Sequence, residues 1–179
     1  IPIGNQVWTT ENLKVTHYRN GDPIPRVTAN GDWSDQTTGA YSFYDNDSSN
    51  VSTYGNLYNW YAVADSRGLA PTGWRVPTDN DIKQLEIFLG MTQAEADATG
   101  WRGTNQGSQL AGRADLWING ALKNDSQFGT SGSDFLPGGY RYSYNGYFYD
   151  MTYRGFLWSS TEDYSYNAWY RSLSYSRTG

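Results

Sequence analysis

The residue types best suited to molecular recognition are concentrated in the last forty positions of the chain. Residues 140–179 hold ten of the sixteen tyrosines, and their only basic residues are four arginines. Tyrosine offers a large, stiff ring with a polar tip, and serine, asparagine and glycine add adaptable hydrogen bonds, as in antibody paratopes. Lysine is absent from this stretch and acids are few, which is typical of the cores of protein interfaces. The composition therefore predicts a binding surface.

A simpler interpretation of the same residues stays open. Tyrosine has a high strand propensity and can cover a sheet without binding anything. The spacing of two at positions 140, 142 and 144 fits that interpretation, but the residues between the rings are mostly serine and asparagine rather than lysine, glutamate or threonine. The binding surface is favoured for the region as a whole, and for any single tyrosine both interpretations stand.

Groups that carry out catalysis are scarce. The chain has no cysteine and one histidine, His17, which excludes disulfides, thiolate nucleophiles, zinc fingers and histidine-rich metal sites. Glu162 and Asp163 are adjacent, and neighbouring residues of a strand point to opposite faces, so they make a poor acid/base pair. Gly138-Gly139 lacks the Lys-Ser/Thr of a phosphate-binding loop. We therefore expect no enzymatic activity.

Two short acidic clusters resemble fragments of calcium-binding loops. Neither Asp45-Asn46-Asp47 nor Asp79-Asn80-Asp81 has the glycine and glutamate that complete an EF-hand. The second cluster is better explained as the start of a helix. Asp45 and Asp47 remain weak candidates for a calcium site, and no other cofactor is expected.

Net charge and hydropathy exclude two classes of partner. The formal net charge is −5, which argues against a general nucleic-acid binder. No apolar run approaches the length of a membrane span, so this segment is not expected to insert into a membrane. The charge is uneven, since the first 139 residues carry −6 and the last forty carry +1.

The remaining pattern predicts the elements that position the tyrosines. The length fits one domain over residues 1–179. Thr78 as N-cap, an apolar stripe of Ile82, Leu85, Phe88 and Leu89, and Gly90 predict a helix over 78–89. A second helix is predicted from Thr92 to Gly100. A short helix is favoured over 57–64, and beyond residue 103 the pattern indicates hairpins only. The fold class is α+β, with two helices, a small antiparallel sheet and long irregular loops. The expected scaffold is the stripe of the helix with Trp8, Trp60, Trp74, Trp101 and Trp158.

Six sequence blocks, in order, resemble one known family, the Fibrobacter succinogenes major paralogous domain. They are Gly4–Leu13, Gly55–Trp60, Gly73–Thr78, Gly100–Asn105, Leu136–Arg141 and Leu157–Glu162. The resemblance implies a C-type lectin-like fold of the formylglycine-generating-enzyme variety. It also implies an exported protein, at a cell surface, secreted or in a virion. The cysteines, iron-binding histidines and sugar-binding calcium motifs of relatives with this fold are absent, so their activities are not implied.

Two further expectations come from this resemblance. Variable proteins of diversity-generating retroelements share the fold and place their mutated residues near the C-terminus, and segment 163–176 is rich in the residues that such mutagenesis produces. The family's final strand is missing here, and the chain begins at Ile1 without a signal peptide. We therefore expect a trimmed chain, with the sheet completed in another way, for example by a neighbour's strand.

Alternation along a predicted strand over 168–175 divides its side chains between two sides. The side assigned to the scaffold carries Trp169, Arg171 and Leu173. The predicted ligand face comprises Tyr142, Tyr144, Tyr147, Tyr149, Tyr164, Tyr166, Asn167, Tyr170, Ser172, Ser174 and Tyr175. The expected ligand is a protein or a glycan on another surface. The alternatives are a carbohydrate-binding adhesin domain and a structural subunit that self-assembles through this face.

Overall fold

A computed structural model describes residues 1–164 and 167–179 of the chain. Within this part the protein has seven short α-helices and eight strands, which pair into four two-stranded antiparallel sheets. The helices are α1 (Asn30–Ser34), α2 (Val51–Tyr54), α3 (Trp60–Val63), α4 (Asp79–Phe88), α5 (Gln93–Asp97), α6 (Gln106–Leu110) and α7 (Ala121–Asn124). The strands are β1 (Pro2–Ile3), β2 (Gln6–Val7), β3 (Tyr41–Ser42), β4 (Leu57–Tyr58), β5 (Gly138–Arg141), β6 (Phe148–Met151), β7 (Arg154–Tyr164) and β8 (Asn167–Ser174). The α+β class is confirmed.

The sequence predicted two main helices, and the structure has further short ones. α6 and α7 lie in the region where only hairpins were expected. They are five and four residues long and begin without a side-chain cap, so they leave no readable period in the sequence. The helix expected over 57–64 is shorter, because Asn59 accepts a hydrogen bond from the Ala62 N–H at 3.0 Å and starts α3 only after β4.

The longest helix begins where the sequence predicts. Thr78 caps α4, and Asp81 returns the bond, because its carboxylate accepts from the Thr78 N–H at 2.7 Å. Ile82 and Leu85 are buried, as the apolar stripe requires. Phe88 is a correction to that stripe, since it is 62% exposed and lies against Gly4. Glu86 is buried on this helix although it is charged.

Acid should weaken the start of α4 in a predictable way. The Arg75 guanidinium, helped by Thr78, holds the pKa of Asp81 well below its ordinary value of 3.8. Because the pKa is lower in the folded state, this stabilisation is present above pH 3.8 and is lost as the pH falls below it. We expect Asp81→Asn to be less stable than the native chain at pH 7, and the gap to narrow progressively as the pH falls from about 4 toward the lowered pKa of the folded state. Urea unfolding at several pH values measures the gap, and a gap independent of pH would contradict the assignment.

The interior consists of two clusters. The first comprises Tyr18, Ile24, Tyr41, Ala62, Val63 and Leu69. The second comprises Ala111, Trp117, Leu122 and Leu173. Leu173 belongs to β8, so the C-terminal strand completes the second cluster. The core is therefore built in part from residues of the tyrosine-rich region itself.

The tryptophan scaffold is only partly as predicted. Trp60 and Trp158 pack against the first cluster. Trp74 and Trp101 are 42% and 41% exposed, so they are not scaffold residues. The most buried indoles are instead two that were not predicted, Trp33 and Trp117. The Trp117 N–H donates to the Gly112 carbonyl at 3.0 Å, which satisfies the polar atom that burial would otherwise leave unpaired.

Candidate binding face

Two neighbouring hairpins carry most of the tyrosine-rich region. In the β5–β6 hairpin Tyr140 lies opposite Tyr149, and in the β7–β8 hairpin Trp158 lies opposite Tyr170. Residues paired across two antiparallel strands project from the same face. The two hairpins lie side by side because Gly155 of β7 leaves room for the backbone of Leu136, whose carbonyl oxygen would be 2.3 Å from an added Cβ.

The rings of both hairpins form one continuous surface, which we call the aromatic face. It comprises seven residues: Trp158, Tyr170, Phe156, Tyr140, Tyr149, Tyr142 and Tyr144. In that order, successive ring centroids lie 6.2, 6.0, 4.9, 5.6, 6.3 and 6.3 Å apart. These separations are those of favourable aromatic pairs. Each ring therefore supports the next along the whole face.

The face is exposed although its rings pack on one another. Tyr144 is 83% exposed and Tyr170 is 53% exposed, with Tyr142 and Tyr149 between these two along the face and also exposed. The Tyr149 hydroxyl accepts a hydrogen bond from the Asn145 amide at 3.0 Å. Large rings already held in place lose little conformational freedom when they bind, and this lowers the entropic cost of association.

A buried arginine supports the β5–β6 end of the aromatic face. The guanidinium of Arg141 lies between the rings of Trp33 and Phe148, 4.6 and 4.7 Å from their centroids. It donates to the Gly146 carbonyl at 2.8 Å and to the carbonyls of residues 27, 28 and 29 at 2.6, 2.8 and 3.2 Å. Burial lowers the pKa of Arg141 to about 10, so the group stays charged at neutral pH. Arg141 thus fastens the hairpin to a distant segment of the chain.

An ionic cluster holds the opposite side of β8. Arg171 donates through Nε to Glu86 at 2.7 Å, and its Nη2 lies 2.8 Å from Asp79. Arg102 binds both oxygens of the same glutamate at 3.0 and 2.9 Å. Glu86 is only 5% exposed, so these pairs lie largely out of water. They join α4, the turn around residue 102 and β8, which places Tyr170 on the outer side.

The structure places most of the predicted ligand residues at the surface. Tyr147 is exposed in the turn between β5 and β6, and Tyr164 and Asn167 are exposed at the far end of the β7–β8 hairpin. Ser172 is half-buried on the side of Tyr170. Tyr166 lies outside the described residues.

Two predicted ligand residues are turned inward. Ser174 is 3% exposed, and its hydroxyl lies 3.1 Å from that of Ser176. Tyr175 packs on the second core cluster, and its ring meets Tyr153 edge-on at 5.4 Å. Alternation gives the side of a strand to which a residue points, but it does not show that another segment covers that side. Ser174 is therefore buried and Tyr175 half-buried, which leaves them less accessible than the other predicted ligand residues.

Three members of the aromatic face were not predicted to be there. Tyr140 and Phe156 fill the gap between the two groups of predicted tyrosines, and Trp158 ends the face beyond Tyr170. The sequence could have indicated that Phe156 and Trp158 belong together. They are two residues apart on β7, so their side chains project to the same side of the strand as Arg154. Their contact with Tyr140 depends on how the two hairpins pack, which local pattern does not reveal.

The weak calcium candidates have local structural roles. Asp47 caps a turn of 3₁₀-helix by accepting from the Ser49 N–H at 2.9 Å, and this bond lowers the pKa of its carboxyl group. Asp45 has a left-handed backbone, with φ 52°. In the described part of the chain, no three His, Cys, Asp or Glu residues are grouped so that they could hold a metal ion.

Comparison with known proteins identifies a family. The model of the Fibrobacter succinogenes major domain family matches residues 1–178. No curated protein and no solved structure matches the chain significantly. Among the described residues, no helix has the length and apolar character needed to cross a membrane.

Proposed function

Because the chain belongs to the Fibrobacter succinogenes major domain family, we propose that it is a non-catalytic module that binds a protein partner through the aromatic face. The observation that carries this proposal is the unbroken run of seven contacting rings, four of them exposed. Tyrosine and tryptophan are the residues that most often dominate the energy of protein interfaces. A face already organised before binding is what such an interface needs.

The family also supports a finer assignment of fold and location. We propose that the domain adopts a C-type lectin-like fold and that the protein is exported, to a cell surface, to the medium or to a virion. The serine-, asparagine- and tyrosine-rich segment 163–176 further suggests a site diversified by a retroelement. Sequencing this segment in a natural population tests that idea, since substitutions should fall at tyrosine, serine and asparagine codons and spare Trp169.

The main test is selection of partners with a matched pair of variants. The protein is probed against a displayed library of protein fragments and against a glycan array, with and without calcium. We expect specific protein fragments to be enriched. The double change Tyr142→Ser and Tyr170→Ser should weaken their binding at least about tenfold, because two exposed rings of the aromatic face are lost. Since both side chains are exposed, the melting temperature should hardly change.

A control variant and two outcomes make this test decisive. Phe88→Ser removes an exposed ring outside the aromatic face and should leave binding intact. Saturable glycan binding with no enriched protein fragment would replace the proposal by a carbohydrate-binding adhesin. Concentration-dependent assembly of the chain alone, abolished by the double change, would replace it by a structural subunit.

A further inference from the structure

A second feature at the surface is not used by the proposal above. Of the four arginines in residues 140–179, Arg141 is buried and Arg171 is held by Glu86 and Asp79. The other two lie over one ring, that of Trp101. Their guanidinium carbons are 6.0 Å (Arg154) and 4.9 Å (Arg177) from its centroid. In a chain with a net charge of −5, these residues form a local cationic site.

The three side chains come from separate segments, each fixed by its neighbours. Arg102, next to Trp101, is bound to Glu86. Arg154 begins β7 and lies opposite Ser174. Arg177 donates its backbone N–H to the Ser174 carbonyl at 3.0 Å, and the next residue, Thr178, accepts from the Ser108 N–H at 2.9 Å. The site is therefore assembled by the fold before any ligand arrives.

A guanidinium that lies over an indole keeps its N–H groups available at its edge. Such an edge can bind a carboxylate with two parallel hydrogen bonds. The nearest described carboxylate to Arg154 is that of Asp150, at 3.6 Å from Nε, which is a long ion pair on an exposed surface. Trp101 itself is 41% exposed and offers an apolar surface beside the charge. The donor set suits an anionic group next to an apolar one.

This site is continuous with the aromatic face. Arg154 and Phe156 are two residues apart on β7 and so project to the same side, about 7 Å apart along the strand. Phe156 belongs to the aromatic face, where its ring lies 4.9 Å from that of Tyr140. A partner that lies on the aromatic face can therefore also contact Arg154 and Arg177.

We propose that Trp101, Arg154 and Arg177 form a carboxylate subsite, which selects protein partners that present a glutamate or aspartate side chain beside the residues that cover the aromatic face. This inference rests on the proposed function and specifies the chemistry of the partner. Arginine and tryptophan are also the residue types most enriched among interface hot spots.

The test uses two peptides that differ in one charge. Acetyl-Gly-Tyr-Glu-Tyr-Gly-amide and its Gln counterpart are titrated into the isotope-labelled protein, and the indole N–H signals are followed by NMR, with Trp101 assigned from Trp101→Phe. We expect the Glu peptide to shift the Trp101 signal and to bind about fivefold more tightly than the Gln peptide. Arg177→Gln should remove this difference. Arg113→Gln, at an exposed arginine paired with Asp115 elsewhere on the surface, should preserve it.

The possible results separate this inference from the proposal on which it rests. Equal shifts of Trp158 by both peptides, with Trp101 unmoved, would overturn the carboxylate subsite while leaving the aromatic face as a binding surface. If no indole N–H signal shifts with either peptide, the subsite is overturned as well. The library selection would then still test the proposed function of the aromatic face. A response of Trp101 to glucuronic acid without one to the Glu peptide would overturn the assignment to a protein partner.

Discussion

Replacing Arg141 by methionine should lower the free energy of unfolding by about 3 kcal/mol, because the bonds from one buried, charged donor to four carbonyls are lost at once. The carbonyls of Gly146 and Val27 accept from this side chain. Those of Thr28 and Ala29 accept from it too, and each has a second donor at 3.1 Å, the Asn46 amide and the Trp33 N–H respectively. Methionine fills much of the space between Trp33 and Phe148, so the loss reports hydrogen bonding more than packing. The free energy of unfolding of Arg141→Lys should lie between those of the native chain and the methionine variant, because an ammonium group cannot make the planar, forked hydrogen bonds of a guanidinium.

Urea unfolding measures the change, and the exposed Arg113 provides the control. Arg113→Met should have no measurable effect on stability. Because Arg141 fixes the β5–β6 hairpin, its loss should also weaken binding at Tyr142 and Tyr144 more than binding at Tyr170. A methionine variant within about 1 kcal/mol of the native stability would show that the carbonyls find other partners and that Arg141 does not support the face.

Glu86→Ala should be more damaging, with a loss of about 3–5 kcal/mol, because it leaves the charges of Arg102 and Arg171 largely buried without their shared partner. Both arginines are bound to this carboxylate at 3.0 Å or less. Asp79 still lies 2.8 Å from Arg171, so that arginine keeps one ion pair. The remaining penalty therefore falls mainly on Arg102.

A triple variant distinguishes two causes of this loss of stability: the loss of the ion pairs themselves, and the burial of an arginine that has no partner. Replacing Glu86, Arg102 and Arg171 together by methionine removes these three charges, and Asp79 keeps Lys83 as a partner at 3.2 Å. Most of the lost stability should therefore return. Thermal and urea unfolding of the single and triple variants provide the comparison. Recovery in the triple variant confirms uncompensated charge as the cause. A triple variant no more stable than Glu86→Ala would show that the ion pairs themselves hold β8 to α4.

The sequence predicted those parts of the fold that depend on local chemistry. The cap at Thr78 and the buried Ile82 and Leu85 are readable because a helix start and a helical period are local signals. α6 and α7 were missed because helices of four or five residues have no period to read. Phe88 was expected in the buried stripe but is exposed, while the charged Glu86 is buried, because burial of a charge depends on partners far away in the sequence.

The same distinction applies to the binding face. Composition alone predicted a tyrosine-rich surface in the last forty residues, and the exposed Tyr144 and Tyr170 lie on it. The ring contacts that make it continuous required the packing of two hairpins. Ser174 was assigned to the ligand because nothing local indicated its burial. Arg141 gave no signal of this role, since three of its four carbonyl partners are contributed by residues more than one hundred positions earlier.

The attachment of Arg141 to residues 27–29 also sets a time order for folding. These contacts span 112 to 114 positions, and Leu173 completes a cluster begun at Ala111. Contacts between distant positions form slowly, because a long loop must close before they stabilise anything. During synthesis the first 139 residues are made before the last forty. Trp33 and Trp117 therefore lack some of their final contacts until the last forty residues have been added. A substitution in the aromatic face is thus also a change in the segment that completes the fold last.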